Sequence, residues 1–110
     1  MNILEEAMVS PSQMLVQNFH AGNINVDLEA TDPETVWIGW VERPYGVEAG
    51  AAKVVLGSLN QMADELGVTL ELRVAVGDER LVEYYQTLGF VVSEVTSDGT
   101  FMLRLPSGSQ

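Results

Sequence analysis

Val41-Glu42-Arg43-Pro44-Tyr45-Gly46-Val47-Glu48-Ala49-Gly50-Ala51-Ala52, residues 41–52, is the stretch where a strand hands over to a helix, and the fold is read outward from it. Upstream, Thr35 to Glu42 is rich in Val, Ile and Trp, a composition that favours a strand packed on both faces. Arg43-Pro44-Tyr45-Gly46 breaks it. Downstream from about Gly50, the apolar residues Ala52, Val55, Leu56, Leu59, Met62, Ala63 and Leu66 recur at three-and-four spacing, so one stripe of a helix faces a core. Gly67 stands where a left-handed residue ends such a helix.

The flanking elements follow from the same two periods. Ile3 to Ala7 is a short strand candidate. Ser10-Pro11-Ser12-Gln13 opens a helix to about His20, with Ser10 as N-cap, Pro11 at the first helical position and Gln13 placed to close a capping box. Ile24, Val26 and Leu28 alternate with polar residues as a half-buried strand does, and Thr31-Asp32-Pro33-Glu34 turns the chain into Thr35. Beyond Gly67, Val68, Leu70, Leu72, Val74 and Val76 alternate likewise. Asp78 caps a helix from Glu79 to Leu88, and Gly89 ends it. Phe90 to Thr96, Ser97-Asp98-Gly99 and Thr100 to Leu105 read as a hairpin, since Asp-Gly supplies positive φ in tight turns. The order β-α-β-β-α-β-α-β-β predicts an α/β fold with a mixed sheet flanked by helices. Residues 1–110 read as one domain, with a polar, frayed tail at 106–110.

Composition narrows the function. The 110 residues hold five Lys plus Arg, sixteen Asp plus Glu, one His and no Cys, for a net charge of −11. Without Cys there is no disulfide framework, thiolate nucleophile or Cys-based zinc site, and a lone His20 at a helix end supplies no typical metal shell. The first 42 residues contain seven acids and no Lys or Arg, so no nucleic-acid partner is expected. No stretch approaches the roughly 20 apolar residues that span a bilayer, and Met1 to Glu6 lacks a secretory pattern; no membrane partner and a cytoplasmic address are the expectations. An acidic surface attracts basic partners instead.

With these elements in place, Val36 to Leu105 resembles the GNAT superfamily of acyl-CoA-dependent N-acyltransferases. Residues 41–52 look like its pyrophosphate loop, of pattern Gln/Arg-x-x-Gly-x-Gly/Ala; Gly50 and Ala52 match and Val47 does not. Val74-Ala75-Val76-Gly77-Asp78-Glu79 is similar to the strand and turn that carry an Asn beside the pantetheine arm, a position held here by Asp78. Tyr84-Tyr85-Gln86-Thr87-Leu88-Gly89-Phe90 is similar to the Tyr-x-x-x-Gly-Phe signature and is the most specific of the three.

The resemblance implies acetyl-CoA as donor and an amine as acceptor. Val47, Glu48, Ala49, Gly50, Ala51 and Ala52 would cradle the diphosphate, Glu42 would align pantetheine through its backbone, Asp78 would lie beside it, and Tyr85 would protonate the departing thiolate. Small residues opening a helix suit that task, because unpaired amides at the positive end of the helix dipole can approach an anion closely. Glu48, Glu42 and Asp78 oppose a polyanion there, each by on the order of 1 kcal/mol or more, and Lys53 and Arg43 are the cations available to offset them. For a base, Glu29, Asp32 and Glu34 are the candidates. Trp37, Trp40 and Phe101 are expected in the core, and an exposed one would mark a partner surface. The alternative implied by the resemblance is a non-catalytic module of the same fold that binds a basic protein surface or joins an assembly, as in small virion-associated proteins of tailed phages.

Overall fold

The computed structural model describes residues 9–107; the strand expected over Ile3 to Ala7 lies outside that range, as does the end of the tail. Helix α1 spans Pro11–Asn18, strands β1 and β2 span Asn25–Asp32 and Thr35–Glu42, helix α2 spans Ala51–Leu66, strand β3 spans Thr69–Val74, helix α3 spans Glu79–Thr87, and strands β4 and β5 span Val91–Thr96 and Gly99–Arg104. Local chemistry sets these limits. The capping box forms as expected: Ser10 Oγ accepts from Gln13 N and Gln13 Oε1 accepts from Ser10 N, both at 3.2 Å. Helix α1 ends two residues before His20, where Phe19 turns extended. Gly67 ends α2 at φ 73°, and its N–H reaches back to the helix carbonyls.

The sheet order is β1-β2-β3-β5-β4, with β2 and β3 parallel and every other neighbouring pair antiparallel. The three helices of the described residues cover one face. Val36 and Ile38 of β2, Leu70, Leu72 and Val74 of β3 and Met102 of β5 point into a single buried cluster with Leu15, Leu56, Leu59, Ala63, Tyr85 and Phe90. Strand β2 is therefore packed mainly on one face, a correction to the two-sided burial that its composition suggested. Its alternate residues Trp37 and Trp40 sit on the opposite face, and Trp40 is 56% exposed rather than in the core.

At the C-terminal end of α3, Leu88 O collects two side-chain donors, Asn60 Nδ2 of α2 at 3.0 Å and Arg104 Nε of β5 at 3.3 Å. Arg104 also forks onto Asp64 of α2, at 2.8 and 3.0 Å, and the N–H and hydroxyl of Ser107 donate to the same carboxylate. The Arg104 hydrogen bond chiefly, opposed by partial burial and helped by Ser107 and by the guanidinium charge, holds the Asp64 carboxyl at about 2, below its ordinary 3.8. A depressed folded-state value stabilises above the unfolded value and is lost as pH falls through the folded one. With Asp64 24% exposed, solvent screening leaves a contribution on the order of 1 kcal/mol. Asp64→Asn should therefore lower thermal stability at pH 6 and leave it nearly unchanged near pH 2. Melting curves across that range check this, and an equal loss at both ends would refute it.

The closing hairpin forms as expected, with positive φ at Gly99, and the structure adds a second reason for that glycine. The turn is Ser97-Asp98, no non-glycine residue in the described chain has positive φ, and Gly99 is the first residue of β5. A Cβ on Gly99, at φ 141°, would run into the backbone oxygen of Val74. The glycine is there for close strand approach as well.

Candidate active site

Strands β2 and β3 stay together for only three residue pairs, Thr35 with Thr69, Val36 with Leu70 and Trp37 with Glu71. Beyond them the strands part, and no residue of β2 after Ile38 pairs with β3. The divergence starts where β2 carries an extra residue: Leu28 of β1 pairs with Ile38 but Asp27 pairs with Trp40, which leaves Gly39 as a bulge. A bulge bends its strand and sharpens the twist, and here it bends β2 away from β3. Glycine suits the place because a Cβ would meet Asp27 Oδ2 at 3.2 Å and the Trp37 ring at 3.6 Å.

Two adjoining cavities fill the gap. One, of about 340 Å³, is lined by Val41, Arg43, Ala49, Ala52, Leu56, Leu81, Tyr84 and Tyr85. The other, of about 380 Å³, shares Val41, Leu81 and Tyr85 and adds Ile38, Gly39, Trp40, Leu72, Arg73 and Ala75. The second takes residues from both faces of the sheet, as a gap between parting strands does.

Helix α2 begins at the edge of the first hollow, which Ala49 and Ala52 line. Its N-cap Gly50 provides no side-chain cap. The N–H of Ala51 is spent on Glu48 O at 3.1 Å and that of Val54 on Gly50 O at 3.3 Å. The amides of Ala52 and Lys53 have neither a backbone nor a side-chain acceptor among the described residues, as first-turn amides do when no cap is supplied. Two free amides at the positive end of a sixteen-residue helix, with Lys53 beside them, suit an anion. Arg43 Nη1 donates to Val47 O at 2.7 Å, which folds the loop back over the strand end.

Tyr85 lies where the two cavities meet and is only 7% exposed. The signature around it has a mechanical reason. Phe90 N–H donates to Tyr85 O at 3.1 Å, and the two rings stand edge to face with centroids 5.5 Å apart. Gly89 lets Arg104 pack against the chain, since a Cβ there would meet Arg104 Nε at 3.2 Å. Burial, with a smaller contribution from Tyr84, pushes the Tyr85 hydroxyl above the ordinary tyrosine value of 10.0, so it keeps its proton through the neutral range.

The structure thus gathers Ala49, Ala52 and Tyr85 around one space, with Gly50 and Ala51 at its rim. Val47 lies in the adjoining loop, where its N–H is spent on Pro44 O at 3.1 Å, and Glu48 is exposed. Glu42 ends β2, and its carboxylate accepts from Asn25 Nδ2 at 3.2 Å. Asp78 Oδ1 accepts from Leu81 N at 3.3 Å as the cap of α3, and Asp78 lines a neighbouring hollow with Gly77, Val95 and Thr100 that shares Ala75 with the gap. Asp32 and Glu34 sit in the β1–β2 turn at the closed end of the sheet, about 20 Å of strand from Val41, too far for a base in the gap. Glu29 pairs with Trp37, where the ladder to β3 ends. Trp40, Leu81 and Tyr84 were missed as lining residues. Gly39 inside a strand pattern is the sequence signal for a bulge and an opening.

This chain has the GNAT fold: a mixed sheet whose parallel central strands part in front of a helix N-terminus. Among the solved structures that share it are three acetyltransferase-fold chains. Ard1 from Thermoplasma volcanium superposes with a TM-score of 0.63 at 13% identity, over 76% of this chain and 63% of its own. PaiA N-acetyltransferase from Thermoplasma acidophilum, in complex with coenzyme A, gives 0.61 at 14% identity, over 74% and 52%. Arabidopsis thaliana Naa50, in complex with the bisubstrate analogue CoA-Ac-MVNAL, gives 0.55 at 17% identity, over 73% and 61%. The chain therefore spans about half to two-thirds of the length of these structures. No family model and no curated protein matches the sequence. Among the described residues no helix is long and apolar enough to cross a membrane, and no group of His, Cys, Asp or Glu could hold a metal ion.

Proposed function

We propose that the chain binds acetyl-CoA in the gap between β2 and β3 and passes its acetyl group to an amine. The observation that carries this reading is the coincidence of three features: a gap where β2 and β3 part, an uncapped helix N-terminus at its edge, and a buried, protonated tyrosine where its two hollows meet. The residues present fit the donor. The free amides of Ala52 and Lys53, with the Lys53 ammonium, would hold the diphosphate, and the strand edge at Gly39 to Glu42, which pairs with nothing in β3, would hydrogen-bond the amide-bearing arm. When bound, acetyl-CoA would supply a thioester whose C–S bond breaks as the amine nitrogen bonds the carbonyl carbon; the nitrogen gives up a proton to water, and the departing thiolate takes one up. Tyr85 Oη holds that proton. Coenzyme A in the PaiA complex and the CoA-peptide conjugate in the Naa50 complex support the same donor class. The acidic surface favours a cationic acceptor.

Titrating the full chain with acetyl-CoA in a calorimeter tests the reading, and no heat at millimolar cofactor would end it. With an accepted amine, Tyr85→Phe should lower kcat about 100-fold with KM for acetyl-CoA little changed. Since the hydroxyl stays protonated to above 10, the wild-type rate should show no loss from this group until strongly alkaline pH. Unchanged turnover in Tyr85→Phe would remove it as the acid.

A further inference from the structure

The face of the sheet opposite the helices carries apolar and acidic side chains in register. Across it run Glu29, Trp37, Glu71, Leu103 and Val91, one from each strand in sheet order. The next row holds Arg73, Phe101 and Glu94, and Asp27 stands beside Trp40. Trp40 and Val91 are each 56% exposed. Between the rows lies a hollow of about 170 Å³, walled by Trp37, Phe101, Glu71, Ser93 and Glu94, with the backbone beneath. The Trp37 and Phe101 rings are 6.3 Å apart and tilted by 43° as an open wedge, and Glu71 and Glu94 line the same hollow.

We propose that this face docks a basic protein segment, with a lysine or arginine side chain seated in the wedge between Trp37 and Phe101. Charge complementarity selects the occupant. Asp27, Glu29, Glu71 and Glu94 share the face with a single cation, Arg73, and none of the four is ion-paired among the described residues. Two aromatic faces within about 6 Å of a cation attract it through their quadrupoles, and two flanking carboxylates take up its hydrogen-bond donors. The surrounding Trp40, Leu103 and Val91 supply the apolar contact that a purely electrostatic encounter lacks. A second copy of the chain would bring four carboxylates against four others, so self-association through this face is disfavoured. The proposal does not depend on acetyl transfer; it stands if the chain binds no cofactor.

The probe is an amphipathic Leu/Lys 14-residue peptide, acetylated and amidated, titrated into the full ¹⁵N-labelled chain, with a Leu/Glu peptide as its counterpart. The expected result is movement of the Trp37 and Trp40 indole N–H resonances by the Leu/Lys peptide only. Glu71→Gln with Glu94→Gln should weaken binding at least fivefold while leaving the spectrum folded, and Glu65→Gln with Glu83→Gln on the helices should change it less than twofold. Equal weakening by the two double variants would assign the binding to net charge and overturn the proposal. So would shifts confined to the helices, equal binding of the Leu/Glu peptide, or a dimer in sedimentation velocity that buries the same indoles.

Discussion

Gly50→Glu should weaken acetyl-CoA binding at least tenfold while leaving the protein folded. Position 50 is at φ −85° in ordinary helical geometry, and an added Cβ meets nothing within 4 Å, so the backbone tolerates a side chain. A carboxylate at an uncapped helix N-terminus also interacts favourably with the dipole, so the free protein should melt no lower than wild type. The same carboxylate stands where the diphosphate is proposed to lie, next to the amides of Ala52 and Lys53. At a few ångströms, near a surface, like charges oppose each other by about 1–3 kcal/mol, and each 1.4 kcal/mol is tenfold in affinity. Glu48→Gln, which removes a carboxylate from the same loop, should shift affinity the other way. Calorimetric titration of both variants checks the pair. If Gly50→Glu titrates like wild type, the helix N-terminus is not the anion site.

The largest loss of stability should come from Gly99→Ala. The alanine Cβ would overlap the Val74 carbonyl in the neighbouring strand, and φ 141° is itself unfavourable for an L residue. Strand β3 is central and flanked on both sides, so it cannot withdraw without disturbing Leu72 and Val74 in the core. A cost of about 3 kcal/mol or more is expected, roughly 12–24 °C in Tm for a domain of this size. Gly22→Ala is the control. Its φ of 62° is also positive but a Cβ there meets nothing, so it should cost only about 1 kcal/mol. Similar losses at the two positions would show that backbone conformation, not strand contact, sets the effect at Gly99.

Much of this architecture is legible in the residues themselves. The capping box at Ser10, the three-and-four stripe of α2 and the bounds of β2 need only local chemistry, and each appears where local chemistry puts it. Gly99 was legible in part: Asp-Gly signals the positive φ that this glycine has, whereas the strand some 25 positions away that also requires it leaves no local mark. Trp40 misled. Its residue type favours burial, but the bulge at Gly39 and the bare face of the sheet decide its exposure, and neither is a property of neighbouring residues. The site divides on the same line. Tyr85 and the α2 N-terminus were visible because short motifs carry them, while the parting of β2 from β3 depends on a register between segments that meet only after folding.

The three-pair ladder between β2 and β3 also has a mechanical meaning. The sheet is two smaller sheets, β1–β2 and β3–β5–β4, joined like covers at a short spine at Thr35 to Trp37. Widening the far end breaks no interstrand hydrogen bond, because none is made there. Resistance to such spreading comes from side-chain packing of α2 across both covers, and the width of the slot is therefore set by the girth of residues such as Leu56 and Leu59.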